Sequence, residues 1–466
     1  MSEDEFRRYA RETADWMSDY LATVGDLPVF SSPSPGFLIS ALPREAPDRG
    51  EPMDEVLRDF RELVVPGLTH WNHPSFFGYF SITASGPGIL GEMLAAVLNV
   101  NAMVWRSSPA ATELEDVTTS WLRQLVGLPE VFEGVINDTA SSSSLYALAA
   151  AREVAYPEAH SAGMFGMPRG RIYASEEAHS SIEKAVLTLG FGQDGFRTIP
   201  TDEAFSMDVE ALRAAIAEDV AAGIQPVGIV ATLGTTSAAA LDPVDKIADL
   251  AEEYGVWLHV DAAYGGSAAV VPEVRALFQG WDRADSVVIN PHKWLFTPVD
   301  CSVLYCQRPE MLVRAFSIVP EYLTSVEQAE TRSLMDYGVS LGRRFRALKL
   351  WFVLRAFGRD GIRARIRYHV EIARHFADLV EAEDGWEVTA PVHLSLVTIR
   401  HVAGNEVTKR VMDRVNSSGE SFLTHTDLRG QTVIRLAIGN LKTTRDDVLH
   451  VWDLLREAAA LEVSAD

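Results

Sequence analysis

Short apolar runs alternating with amphipathic helical segments predict an α/β fold: a mostly parallel sheet covered by helices on both faces, followed by a smaller α+β region. Three observations carry this. From about residue 90, RIYAS, FRTIP, QPVGIVATL, VWLHVDA, SVVIN and CSVLYC read as strands. Between several of them, HSSIEKAVLTLG, MDVEALRAAIAEDVAAG and VDKIADLAEEYG place apolar residues at helical spacing. Near FGRDG, residues 357–361, the composition changes, and a long helical segment leads to WEVTA, HLSLVTIR, SFLTHT and TVIRLAIG. Their apolar–polar alternation is that of half-buried antiparallel strands.

At the start of the chain, Phe6, Ala10, Met17, Tyr20 and Val24 recur at roughly helical spacing, and SSPSPG and ALPREAPDRGEP then form a proline-rich connection. The expected division is an N-terminal helical segment over 1–85, a large α/β domain over 86–357 and a small C-terminal α+β domain over 358–466.

With 466 residues, 47% of them hydrophobic, the chain can bury a large core. Lys plus Arg number 41 against 65 Asp plus Glu, a formal net charge of -24 that repels phosphate backbones and anionic lipid. Nucleic acid and membrane surfaces are therefore not expected partners. The opening MSEDEFRRYARETADWMSDYL has neither the basic nor the apolar region of a secretion signal. GILGEMLAAVLNVNAMVW and PVGIVATLGTTSAAAL are interrupted by polar residues and do not read as membrane spans. Two cysteines, Cys301 and Cys306, give no disulfide framework or metal cluster, which fits a reducing cytoplasm.

In open α/β sheets ligands bind beyond the carboxyl ends of the strands, so polar residues there are the candidates for chemistry. Asp261 closes VWLHV, and Lys293 follows SVVIN after one crossover's length of chain. Alone, an Asp and a Lys at this spacing read as a structural ion pair. Their surroundings point elsewhere. Asp261 is followed by AAYGG, whose glycines let backbone approach a ligand, and Pro291-His292 stop the strand before Lys293. A desolvated lysine loses its proton more readily and can form an imine with a carbonyl. A buried aspartate opposite can keep a pyridine nitrogen protonated.

A phosphate-bearing cofactor of that kind needs an anion site. NDTASSSSLYALAAAR, residues 137–152, runs small and hydroxyl residues straight into a helix former, where free N–H groups and the helix dipole favour an anion. Asn290, His292 and Thr236 lie at strand ends as further donors, and His179, just past RIYAS, is a capping residue or a flat ring to stack on a cofactor. GFGQDG, residues 190–195, has the form GxGxxG but follows a helix, the reverse of a dinucleotide site, and reads as a helix C-cap and turn. His70 and His73 lack a third ligand, so no metal is expected. GRRFRALKLWFVLR reads as a basic solvated or interdomain helix.

Together NPHKW, HVDAAYGG, AHSSIEKA, THWNHPSFFGYF, SSPAATELE and GRRFRALKLWFV resemble the group II pyridoxal phosphate decarboxylases, nearest the aromatic L-amino-acid decarboxylases, from about residue 65 to 440. The resemblance implies a fold-type I enzyme with a seven-stranded sheet, a dimerisation role for residues 1–85, and a homodimer whose active site lies at the subunit interface. It implies that Lys293 holds pyridoxal 5'-phosphate, Asp261 pairs with the pyridine nitrogen and His179 stacks on the ring. Ala140, Ser141, Asn290 and His292 match positions that serve the phosphate and its surroundings, with Thr236 and Ala263 near the ring.

By the same resemblance, Tyr322 in VPEYL is the mobile-loop tyrosine that gives a proton to the α carbon after carbon dioxide leaves. Relatives that make aldehydes replace the loop tyrosine or the ring-stacking histidine; Tyr322 and His179 are both present, which favours an amine product. Trp71, Tyr79 and Phe80, in an aromatic cluster, with Ser81, Ile82, Asn101 and Met103, are expected to line a pocket for an aromatic side chain, although such a cluster is more often core. An aromatic aldehyde synthase and a decarboxylase of a non-aromatic amino acid are the alternatives.

Overall fold

The computed structural model describes residues 1–318 and 331–464. The chain divides into two compact units, one made of Met1–Ser81, Asp378–Thr389 and Thr398–Asp466, the other of Ile82–Ala377 and Ala390–Val397.

The larger unit is built on a seven-stranded sheet. Its strands are β1 (Glu133–Asn137), β2 (Gly170–Ser175), β3 (Phe196–Ile199), β4 (Gln225–Thr232), β5 (Trp257–Asp261), β6 (Ser286–Ile289) and β7 (Ser302–Cys306), in the order β1-β7-β6-β5-β4-β2-β3. β7 runs antiparallel to both of its neighbours, and the pairings β6-β5, β5-β4, β4-β2 and β2-β3 are parallel. A strand antiparallel to both β1 and β6 leaves those two parallel to each other, so six strands send their carboxyl ends to one edge. β4 to β7 are buried almost throughout, as expected of strands with helices on both faces. β1, from EGVIN, is absent from the strands expected from sequence, because Val135 and Ile136 are its only large apolar residues.

Helices Ala140–Ala155, Ser181–Thr188, Val209–Ala221 and Val244–Tyr254 connect the parallel strands. The GFGQDG segment is the expected cap: Gly190, just past helix Ser181–Thr188, has φ 87°. Two motifs far apart in sequence meet beneath β1. Glu115, from SSPAATELE, accepts from the Ile136 N–H at 2.8 Å and from Arg343, of GRRFRALK, at 2.9 Å, and all three residues are buried. In the long helical stretch Arg346–Glu381, Lys349 is 1% exposed and pairs with Glu92 at 2.8 Å, so this part of the basic segment is not the solvated face its composition suggests. Gly358, with φ 61°, interrupts the stretch where the composition changes.

A second, four-stranded sheet, order β10-β11-β9-β8, is formed by β8 (Trp386–Val388), β9 (Leu396–His401), β10 (Thr424–Leu428) and β11 (Gln431–Ala437). β10 and β11 form an antiparallel hairpin through Arg429 and Gly430, both at positive φ, the backbone that a two-residue turn requires. The N-terminal helix Glu3–Thr23 begins with a capping box between Ser2 and Glu5. The N-terminal segment is tied to the C-terminal one by backbone hydrogen bonds Val29 N–H to Gly419 O at 2.7 Å and Phe77 N–H to Phe422 O at 2.9 Å. No helix among the described residues is long and apolar enough to cross a membrane.

Candidate active site at the carboxyl edge of the sheet

The shared direction of β1, β6, β5, β4 and β2 gathers the strand-end residues at one edge. Asp261 is the last residue of β5, paired in register with Thr232 of β4 and Val288 of β6. Lys293 lies in the short helix Pro291–Trp294, four residues past the end of β6. The two turns are joined directly: Asn290 N–H donates to Ala263 O at 3.0 Å, and Lys293 N–H to Asn290 O at 3.0 Å. Asp261 is 6% exposed; its Oδ1 accepts from the Ala263 N–H at 3.1 Å, which leaves Oδ2 as an acceptor.

The glycines after Asp261 act differently from the sequence reading. A Cβ on Gly265 would sit 2.3 Å from Leu233 O, and one on Gly266 would sit 2.8 Å from the Ile289 side chain. The close approach they permit is between the turns of β4, β5 and β6, which fixes the strand ends against one another.

His179 follows β2 and precedes helix Ser181–Thr188. Its Nδ1 accepts from the Ser181 N–H at 3.2 Å, so the proton of the neutral ring is on Nε2. Desolvation of the ring lowers its pKa, Asp261 raises it, and Lys293 and Lys184 lower it further; the residue as a whole remains exposed. The influence of Asp261 and Lys293 on one imidazole brings the ends of β2, β5 and β6 into a single electrostatic environment.

His292 is buried, and burial, then the Lys293 charge, push its pKa down to about 4. Cys301 N–H donates to its Nδ1 at 2.9 Å, so the neutral ring carries its proton on Nε2, 3.3 Å from Asn290 Nδ2. Two donors cannot satisfy each other. Asn290 Oδ1 is meanwhile buried without a hydrogen-bond partner among the described residues. Turning the amide gives His292 Nε2–H an acceptor and leaves the buried Asn290 NH2 open to a further acceptor. Ser175 Oγ and Thr232 Oγ1, at the carboxyl ends of β2 and β4, are also buried without partners among the described residues.

Ala140 and Ser141 are the first two residues of helix Ala140–Ala155, where Thr139 is extended and no side chain caps the end. Uncapped N–H groups and the positive end of the helix dipole meet at this position, an arrangement suited to an anion. The serine run divides by depth. Ser141 is exposed, whereas Ser143 and Ser144 are fully buried and bond to Ser302 Oγ at 2.9 Å and His259 Nε2 at 3.0 Å. Thr236, four residues past β4, is exposed, and Ala263 is buried beside Asp261.

The remaining candidates separate. Ile82, Asn101 and Met103 belong to the larger unit, where Asn101 Oδ1 accepts from the Arg343 N–H at 2.9 Å. Trp71, Tyr79, Phe80 and Ser81 belong to the smaller one. There Trp71 stacks on Tyr79, with centroids 5.5 Å apart, Phe80 and Ser81 are buried, and Phe76 and Phe77 are core at 0% exposure. His70 bonds Tyr20 Oη, and the His73 ring bonds Gly25 O and accepts from the Ser75 N–H, so each is engaged within the fold. Tyr322 lies outside the described residues. A cavity of about 570 Å³ beside Arg169, Gly170 and Phe191 opens at the amino end of β2, away from the edge that carries Lys293.

Sequence reasoning missed His259. Its signal was a histidine in the apolar strand VWLHV, two residues before Asp261 and hence on the same face.

Comparison with known proteins agrees with this architecture. Residues 35–402 match the pyridoxal-dependent decarboxylase conserved domain. The chain is 38% identical to a phenylacetaldehyde synthase of Petunia hybrida, over 99% of this chain and 96% of the relative. It is likewise 38% identical to an aromatic-L-amino-acid decarboxylase of Catharanthus roseus, over 97% and 93%. The crystal structure of Oryza sativa TDC with PLP and tryptamine superposes with a TM-score of 0.96 at 36% identity, covering 99% of this chain and 98% of that one. An α/β sheet with an amine, a carboxylate and an uncapped helix end on its carboxyl edge, together with matches spanning nearly the whole chain, means that the protein belongs to the pyridoxal-dependent decarboxylase family and that pyridoxal phosphate is its cofactor.

Proposed function

We propose that the protein decarboxylates an aromatic L-amino acid to its amine and carbon dioxide. The observation that carries this reading is the junction of the β5 and β6 turns, which sets Asp261 and Lys293 on adjacent strand ends through the 3.0 Å bond from Asn290 N–H to Ala263 O. The residues fit the cofactor: the orphaned Asn290 amide and the uncapped N–H groups at Ala140 and Ser141 are complementary to a phosphate, with neutral His292 orienting the amide.

When bound, pyridoxal phosphate supplies a carbonyl that condenses with an amine and a ring that accepts electrons released at the substrate α carbon. Lys293 is the tether for the carbonyl end. Asp261, through Oδ2, holds a proton at the ring nitrogen. His179, with its imidazole held by the Ser181 N–H, would stack on the ring face, and Thr236 and Ala263 would lie near it. Holding the substrate carboxylate out of the ring plane is the task of the pocket residues, for which Trp71, Tyr79, Phe80, Ser81, Ile82, Asn101 and Met103 are the candidates. Tyr322 is the proposed proton donor to the α carbon, on resemblance alone.

The aromatic substrate rests on the aromatic residues of the 71–80 segment and on relatives such as the Catharanthus enzyme. A second reading, conversion to the aldehyde, is favoured by the similarity to the Petunia synthase; the presence of both Tyr322 and His179 supports the amine. A cytoplasmic homodimer with a shared active site completes the proposal. In it, residues 1–85 serve dimerisation, 86–357 hold the cofactor and 358–466 form the small domain. Two buried free thiols are consistent with a reducing compartment.

The test is a carbon dioxide release screen over the common amino acids and hydroxylated aromatic ones, with product analysis. Amine equal to carbon dioxide from an aromatic substrate is expected. Aldehyde with stoichiometric hydrogen peroxide would replace this reading by the second, and release from non-aromatic substrates alone would remove the aromatic assignment.

A further inference from the structure

We propose that His259 is a positioning residue that sets the cofactor site by fastening together the three elements on which that site stands. The proposal rests on the reading above, in which Ala140 and Ser141, Asp261 and Lys293 hold pyridoxal phosphate.

His259 is in β5, and its imidazole is completely buried. Alternation along the strand puts its side chain on the same face as Asp261, two residues on. Its Nε2 lies 3.0 Å from Ser144 Oγ, four residues into helix Ala140–Ala155. Its Nδ1 lies 2.9 Å from Ser286 Oγ, on the first residue of β6, the strand that leads to Asn290 and Lys293. One ring therefore touches the helix that offers the anion site and the strand that leads to the lysine, while standing on the strand that carries the carboxylate.

One donor of the network is fixed by its chemistry. Trp257 Nε1–H can only donate, and does so to Ser286 Oγ at 2.9 Å. In one arrangement consistent with that donor, the Ser286 hydroxyl gives its proton to His259 Nδ1 and His259 Nε2–H donates to Ser144 Oγ. Burial pushes the His259 pKa down to about 4, which keeps the ring neutral across the working range, with one nitrogen a donor and the other an acceptor. A core position that served packing alone would be filled by an apolar residue, without an imidazole, two hydroxyls and an indole N–H that must all be satisfied out of water. Loss of the ring's two bonds frees the helix end and β6 to shift relative to Asp261, and the expected consequence is a looser and differently oriented cofactor.

The test uses the full chain, with His259→Phe, His259→Gln and Ser144→Ala variants titrated with pyridoxal 5'-phosphate after removal of bound cofactor. His259→Phe is expected to keep its far-ultraviolet circular dichroism, to raise the cofactor Kd about tenfold or more, and to change the visible circular dichroism of the bound ring. In His259→Gln the amide reaches towards Ser144, and most of the affinity is expected to return. Ser144→Ala is expected to weaken binding by a smaller factor. A lowered Tm with wild-type Kd and wild-type visible spectrum in His259→Phe would reduce the residue to packing and overturn the proposal. Should His259→Phe fail to fold, Ser144→Ala decides, and an unchanged Kd and spectrum there overturns it equally. If the wild-type chain takes up no cofactor, or Lys293→Ala retains a borohydride-fixed label, the underlying site reading falls and this proposal with it. If both controls behave and His259→Phe is unchanged, the proposal falls alone.

Discussion

Asp261 ends its strand with Oδ1 accepting from a backbone N–H, and the proposed function gives its other oxygen, Oδ2, the chemical role. Replacing it by Asn keeps the shape and removes the charge that, in the proposed function, retains a proton on the ring nitrogen. We expect Asp261→Asn to fold normally and to lose at least about 10²–10³-fold in kcat; steady-state kinetics within a few-fold of wild type would contradict its assigned role. The buried histidines make a second expectation. Burial holds His259 and His292 near a pKa of about 4, against an ordinary 6.5. As pH falls below about 6.5 the unfolded chain takes up these protons before the folded one, so both residues cost stability between about 6.5 and 4. Asp242 acts in the opposite sense. Burial raises its carboxyl from 3.8 to about 7, and its contribution weakens as pH rises across that interval. Ring resonances assigned to His259 and His292 by NMR should stay in their neutral positions from about pH 8 to 5; a midpoint near 6.5 for either would contradict the buried network. The strand-end placement of Lys293, Asp261 and His179 was legible in sequence because each ends or follows a recognisable strand. The His259 partners were not, since Ser144 and Ser286 are separated from it by crossovers that only the folded sheet brings together.

Among the helices, Gly86–Leu98 inverts the usual arrangement of a surface helix. Its buried residues are Gly88 and Gly91, while Leu90, Leu94, Val97 and Leu98 are exposed. The inward glycines are required by close packing: a Cβ on Gly91 would lie 2.6 Å from Lys349 Cα, a backbone atom that cannot turn aside. Gly91→Ala should therefore destabilise the protein by about 1–3 kcal/mol through displacement of the two helices, measured by thermal unfolding of the loaded enzyme; a stability equal to or above wild type would contradict this packing. The alternating strands and helices after residue 170 were readable from period alone. β1 escaped because five residues with two large apolar side chains carry too little pattern, and the burial of Lys349 escaped because its partner Glu92 comes from a helix distant in sequence.

For the whole molecule, the outward row of Leu90, Leu94, Val97 and Leu98 is apolar surface that a soluble monomer would leave in water. It supports the proposed homodimer, and sedimentation should give twice the 51.2 kDa chain mass. A Leu94→Asp, Val97→Asp double variant should shift the population towards single chains and lose activity with them; a fully dimeric double variant would place the interface elsewhere. The fold class and the gathering of the candidate residues at one sheet edge were open to sequence reading, because strand ends follow from pattern. Aromatic residues such as Phe76 and Phe77 did not reveal their division between pocket and core, which depends on burial in three dimensions. The most direct test of the central claim, that this sheet edge holds pyridoxal phosphate on Lys293, is borohydride reduction of the loaded enzyme followed by peptide mapping. A pyridoxyl group on the peptide that contains Lys293, absent from Lys293→Ala, is the expected result; a label on a different lysine, or one that survives the substitution, would contradict it.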